Sequence, residues 1–218
     1  MRISRIEGLL FLHLIAVSVF AQTEKPAKTE NGAVILYSTA GWSFGVPAVR
    51  AFVSIPRVGS AESPLKKTLI APGFGIGVKV SKYLVPFADF AIIDTGKAYA
   101  QVGSVRSDVQ ADTFTFHGGL RLIGGTSRVR PYAQLGGGVL HQNLKGGFTV
   151  AGQSLPVTGS ASLGSVLFGG GLQMFAGRKW GSDIGFDGFH LSKPMNGAGQ
   201  NYSRVRLGVF YQTKSNVE

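Results

Sequence analysis

The chain of 218 residues contains no cysteine. Disulfides therefore cannot stabilise it in an oxidising compartment, and thiolate nucleophiles and thiolate metal ligands are excluded. Acidic side chains are scarce, 11 Asp and Glu against 22 Lys and Arg, which gives a formal charge of +11. No amphipathic helix longer than a few turns can be traced. Nucleotide-site motifs are missing as well. There is no Gly-Lys-Ser/Thr phosphate loop and no zinc-ligand spacing, and "GFGIGV" (73–78) carries Val78 where a dinucleotide fingerprint needs its third glycine. No cofactor and no metal are expected.

What is present begins with an export signal. Residues 1–21 have a basic start (Arg2, Arg5), the apolar run "GLLFLHLIAVSVF" and the cleavage pattern Val19-Phe20-Ala21. The run is shorter than the ~20 residues a membrane-spanning helix needs. Removing 21 of 218 residues leaves 197, enough for one domain, and the loss of Arg2, Arg5 and Glu7 lowers the charge to +10. A basic balance alone fits nucleic acid, acidic lipid headgroups or no specific partner, and export argues against the first of these. His13 leaves with the leader. Residues 22–32, "QTEKPAKTENG", form a solvated lead-in.

From residue 33 the chain alternates with period two. Phe74, Ile76, Val78 and Val80 alternate with Gly75, Gly77, Lys79 and Ser81. Phe114, Phe116, Leu120 and Leu122 alternate with Thr113, Thr115, His117 and Arg121. Leu135 and Val139, Val166, Phe168 and Leu172, and Ile184 and Phe186 mark further strands. Short links fall at 81–82, 124–128 and 177–181, and longer ones at about 43–69, 102–110, 143–161 and 192–201. Long and short links alternating are the rhythm of an outer-membrane barrel, and Tyr83, Trp180 and Tyr211 near the short-turn end suit an aromatic girdle. The expected fold is all-β: a closed antiparallel up-and-down transmembrane β-barrel over 33–213, followed by a short tail at 214–218. Eight strands put every short turn on one side. Ten is the alternative count, since "AVRAFVSI" (48–55) also alternates and "DTGK" (94–97) suits a turn.

The final strand, "NYSRVRLGVFYQ" (201–212), places Arg204 and Arg206 on one face and Val205, Leu207, Val209 and Tyr211 on the other. If the apolar face meets lipid, the arginines enter an interior only wide enough for side chains. Charge buried there must be paired. The same parity sends Lys79 and Arg121 inward, with Asp89, Asp183 and Asp187 as partners. A narrow charged interior disfavours a passive pore. Glycines at 136–138 and 169–171 lie in mid-strand, where a small barrel can use them for curvature and close approach.

"VRPYAQLGGGVLH" (129–141) and the final strand resemble the OmpA/OmpX-like family of small outer-membrane barrels. The final strand also looks like the assembly signal of such proteins, although "TKSNVE" (213–218) follows it. The resemblance implies a monomer in the outer membrane of a Gram-negative-type bacterium. Its partners would be outer-membrane lipid, lipopolysaccharide and the assembly machinery. The role would be structural, or surface binding through the outside loops. A weaker resemblance links "FHLSKPMNGAGQN" (189–201) to lipid A 3-O-deacylases through His190 and Ser192, with Asn201 where an acid orients the histidine and Lys193 where asparagine usually follows the serine. It implies an alternative role as a lipid A ester hydrolase.

Overall fold

The computed structural model describes residues 32–213, except 45, 47–49, 56–58, 65–67, 125–127 and 195–199. The 1–21 leader, all of the lead-in but Gly32, and the 214–218 tail lie outside the described residues. Ten strands follow one another: β1 (Val34–Phe44), β2 (Arg50–Ile55), β3 (Gly59–Pro64), β4 (Thr68–Val78), β5 (Leu84–Val102), β6 (Val105–Ile123), β7 (Val129–Val150), β8 (Gln153–Phe175), β9 (Trp180–Leu191) and β10 (Asn201–Gln212). Eight of them close a ring in the order β1-β10-β9-β8-β7-β6-β5-β4, all neighbours antiparallel. β2 and β3 pair only with each other. The segment at 48–55 therefore does contain a strand, but not a barrel strand, and the barrel count is eight.

Period-two patterning assigns the faces. Phe74, Ile76, Phe116, Leu120, Leu122, Leu135, Val139, Val166, Phe168, Leu172, Ile184 and Phe186 are all exposed on the outside. So much exposed apolar surface is foreign to a water-soluble protein and is the pattern of a lipid-facing band. Closure removes free edges within the ring, which is what lets a sheet sit in hydrocarbon.

Two expected loops are strands. β5 and β6 each run 19 residues, and β7 and β8 run 22 and 23, about twice the 9–11 that cross a membrane. The segments 102–110 and 143–161 are continuous hairpins closed by two-residue turns at 103–104 and 151–152. Gly103 (φ 58°), Ala151 (φ 49°) and Gly152 (φ 81°) take the left-handed conformations that match strand twist in such tight turns. Alternation had already continued through them: Val105, Ser107, Val109 and Ala111 share one face, and Arg106, Asp108, Gln110 and Asp112 the other. The 94–97 segment is not a turn but a register shift between Asp94 and Lys97 within the β5–β6 pair. The long link at 43–69 holds the β2–β3 hairpin, and the three short links all lie at the opposite end of the barrel.

Candidate functional site

The interior is layered. At the short-turn end, Ile35, Tyr37, Val85, Ile123, Tyr132, Phe175 and Phe210 pack together. Toward the hairpin end, Ala71, Phe87, Leu140, Leu167, Phe189, Leu191 and Tyr202 form a second apolar layer, with Phe189 stacked on Tyr202 at 4.3 Å. Between the layers lie Arg121, Arg204 and Arg206 with Asp89, Asp183 and Asp187, all six buried. Three guanidinium groups face three carboxylates, so the cluster is neutral as a set.

Arg204 Nη2 lies 2.7 Å from Asp89 Oδ2 and 2.9 Å from Asp187 Oδ2. Arg206 sits between Asp183 and Asp187, with Nε 3.2 Å from one and Nη1 3.3 Å from the other. The register explains why it reaches both. Gly185 stands opposite Arg206 on β9, flanked on the inner face by the two aspartates. Arg121 donates from Nε and Nη2 to Gln134 Oε1 at 3.0 and 2.8 Å. Its Nη1 is 3.7 Å from Asp183 Oδ2, and its guanidinium lies over the rings of Tyr37 and Tyr132 at 4.6 and 4.3 Å.

Tyr132 and Gln134 complete the network from β7. Tyr132 donates to Asp183 Oδ1 at 3.0 Å, and Gln134 Nε2 to Asp187 Oδ1 at 2.6 Å. Both bonds cross over β8, because the β8 residues opposite them, Gly171 and Gly169, have no side chains. A Cβ at Gly171 would lie 2.6 Å from the Tyr132 hydroxyl, and one at Gly169 would lie 2.7 Å from Asp187 Oδ1. The glycine run is thus a channel through which β7 reaches β9. Nothing in the sequence singled out Tyr132 and Gln134 beyond their inward parity. A cavity large enough for about one water remains beside Tyr37, Asp89, Arg121, Asp183 and Arg206.

Lys79 does not join this cluster. It is buried just past the end of β4, and burial together with repulsion from Arg130 lowers its ammonium pKa to about 8. Its distance from the aspartates reflects its place at the barrel end, where the parity rule still points inward but the cluster is several residues away. Trp180 and Tyr211 meet at the same end with ring centroids 4.6 Å apart, and Tyr83 stands exposed beside Lys82, whose ammonium is 4.7 Å from its ring. His190 and Asn201 face each other across β9 and β10 on the outer face, with Nδ1 2.7 Å from Asn201 Oδ1. Among the described residues no hydrogen bond joins Ser192 to His190; the Ser192 backbone instead donates to Gly164 at 2.8 Å. No cluster of three His, Asp or Glu suited to a metal occurs among the described residues.

The same architecture is found in solved structures. Ail, the attachment invasion locus protein of Yersinia pestis, superposes with a TM-score of 0.51 at 16% identity, over 84% of this chain and all of that one. The fold is that of a small outer-membrane barrel. Ail in complex with the heparin analogue sucrose octasulfate gives a TM-score of 0.50 at 15% identity, again over 84% of this chain and all of Ail. Neisserial surface protein A covers the same shares at 14% identity with a TM-score of 0.49. No protein-family model and no curated sequence matches the chain.

Proposed function

We propose that the protein is an integral outer-membrane barrel whose closed interior acts as a rigid pedestal and whose projecting hairpins bind at the cell surface. The observation that carries the reading is the contrast between the two ends. Within the barrel, the side chains are apolar toward lipid and the interior charges are paired. Above it, β8 continues paired with β7 only: β9 pairs with it only from Ser165 onward, so among the described residues 153–164 border no strand on their other side. This segment carries no charge and exposes Leu155 and Val157, with Phe148 and Val150 exposed beside them on β7. An uncharged free edge with an apolar flank suits the addition of an extended peptide strand.

The test has two parts. The protein should fractionate with outer membranes and migrate faster unheated than heated in mild detergent. Replacing 146–160 by a two-residue turn should preserve both properties while abolishing binding of cells to host-protein-coated surfaces. Recovery as a soluble periplasmic species would refute the membrane reading; unchanged binding would refute the role of the hairpin.

One observation favours a second reading, lipid A ester hydrolysis. The bond from His190 Nδ1 to Asn201 leaves Nε2 as the acceptor a serine would need. Ser192 would have to turn toward it. Mass spectrometry of lipid A from cells with and without the protein tests this reading, and unchanged acylation refutes it.

A further inference from the structure

A different histidine carries a complete hydrogen-bonded line. His141 on β7 stands directly opposite Ser162 on β8. Its Nδ1 is 2.7 Å from Ser162 Oγ, and its Nε2 is 3.0 Å from Asn143 Oδ1. An amide oxygen can only accept, so with Oδ1 turned to the ring, Nε2 bears the proton and Nδ1 accepts from the serine hydroxyl. Nucleophile, base and orienting group are therefore joined in the order acyl transfer requires.

Their position names the substrate class. His141 and Asn143 continue the outward face that carries Leu135 and Val139, and Ser162 continues the face of Phe168 and Val166. Beyond them the same face turns polar, with Lys145, Thr158 and Ser160. The line thus sits where the apolar band ends, the depth at which the ester carbonyls of membrane lipids lie between hydrocarbon and headgroup. Gly164 lies between Ser162 and Val166 on this face, opposite Val139. Its missing side chain leaves a notch, and the nearest atom to a Cβ placed there is Ser192 Oγ at 3.7 Å. An acyl chain lying along Val139, Val166 and Phe168 would bring its ester carbon to this notch beside Ser162, with the Ser192 hydroxyl as a donor to the carbonyl oxygen.

We propose that Ser162, His141 and Asn143 hydrolyse long-chain acyl esters of outer-leaflet lipids. Ser162 Oγ bonds to the acyl carbon as its proton passes to His141 Nδ1. The ester C–O bond then breaks, and that proton leaves on the departing alcohol oxygen. Water attacks the acyl-serine, returns a proton through Nδ1 to Ser162, and frees the fatty acid. Asn143 is a positioning residue, holding the ring in the tautomer that accepts at Nδ1. The inference rests on the membrane-embedded reading, because the ester reaches Ser162 only from the bilayer.

The experiment uses the full chain refolded into phosphatidylethanolamine and phosphatidylglycerol vesicles, with and without lipopolysaccharide, and mass spectrometry of released fatty acids and lyso products. Lyso-phospholipid or under-acylated lipid A identifies which source supplies the ester. Ser162→Ala and His141→Ala should each lower release by about 10³-fold or more, with heat-modifiable migration retained. Asn143→Ala should lower kcat, and Asn143→Asp should restore it. A fluorophosphonate should add its mass at Ser162 and nowhere in Ser162→Ala. Insertion into vesicles without release from either lipid overturns the inference alone, and failure to insert overturns the membrane reading with it. Loss of activity in His190→Ala with Ser162→Ala unaffected assigns the chemistry to the other pair and also overturns it.

Discussion

Removing the Arg206 charge should leave two carboxylates each short of a partner in the buried interior. Arg206 is 2% exposed and contacts Asp183, Asp187 and Tyr132, and the cluster is neutral only while all three arginines are present. In Arg206→Met the methionine matches much of the apolar stem, so packing changes little and the charge term dominates. Breaking a buried pair costs about 3–5 kcal/mol, whereas a solvated pair contributes at most about 1 kcal/mol. Asp187 keeps Arg204 and Gln134, and Asp183 keeps Arg121 and Tyr132. The loss should therefore fall near the lower bound, about 3 kcal/mol. Adding Asp183→Asn or Asp187→Asn removes the surplus negative charge and should restore part of that loss. Urea unfolding of the detergent-folded barrel, followed for the single and double variants, measures both. A single-variant loss below about 1 kcal/mol, or strict additivity with both aspartates, would refute the paired interior.

Three further outcomes follow from the same geometry. Leu207→Arg places charge on the lipid face of β10 and should cost about 2–4 kcal/mol, against about 0–1 kcal/mol for Asn201→Arg on the same face at the rim; equal losses in vesicle-based unfolding would contradict the membrane depth assigned to Leu207. Gly171→Val drives a side chain into the Tyr132 hydroxyl and should cost at least about 3 kcal/mol from overpacking and a broken buried bond, while a silent substitution would remove the account of the glycine channel. Lys79 has a folded pKa of about 8, below its unfolded value of 10.5. Between those values the unfolded chain binds more protons, so stability should rise with pH from about 8 to 10.5 and be insensitive to this group below 8. Lys79→Met should flatten that rise, and an unchanged slope in pH-dependent urea midpoints would show that Lys79 is not its source.

Much of this was legible because a strand has period two. Arg204 and Arg206 could be placed inside from the apolar parity of Val205 and Leu207 alone, and Asp183 and Asp187 followed because consecutive strands in an up-and-down barrel are neighbours. Parity alone does not place Tyr132 and Gln134 in the cluster, since their partners lie two strands away and the contact depends on Gly169 and Gly171 being bare on the strand between. That is a property of barrel curvature, not of any one segment. The hairpins at 102–110 and 143–161 read as loops in the sequence because they are polar and glycine-rich, yet strand pairing outside a membrane needs no apolar face. Lys79 had the right parity and the wrong height. The His141–Ser162 bond joins residues 21 apart on facing strands, and only the register of β7 against β8 brings them together.

The central claim is that one face of each barrel strand meets lipid while the other is sealed inside. With no cysteine in the chain, single-cysteine variants from 203 to 211 can each carry one nitroxide without background. In vesicles, labels at 205, 207 and 209 should collide readily with oxygen and poorly with a water-soluble nickel complex. Labels at 204, 206 and 208, where they fold, should be shielded from both. A period of two in oxygen accessibility along β10 is the result this structure predicts; uniform accessibility to the nickel complex along the strand would contradict it.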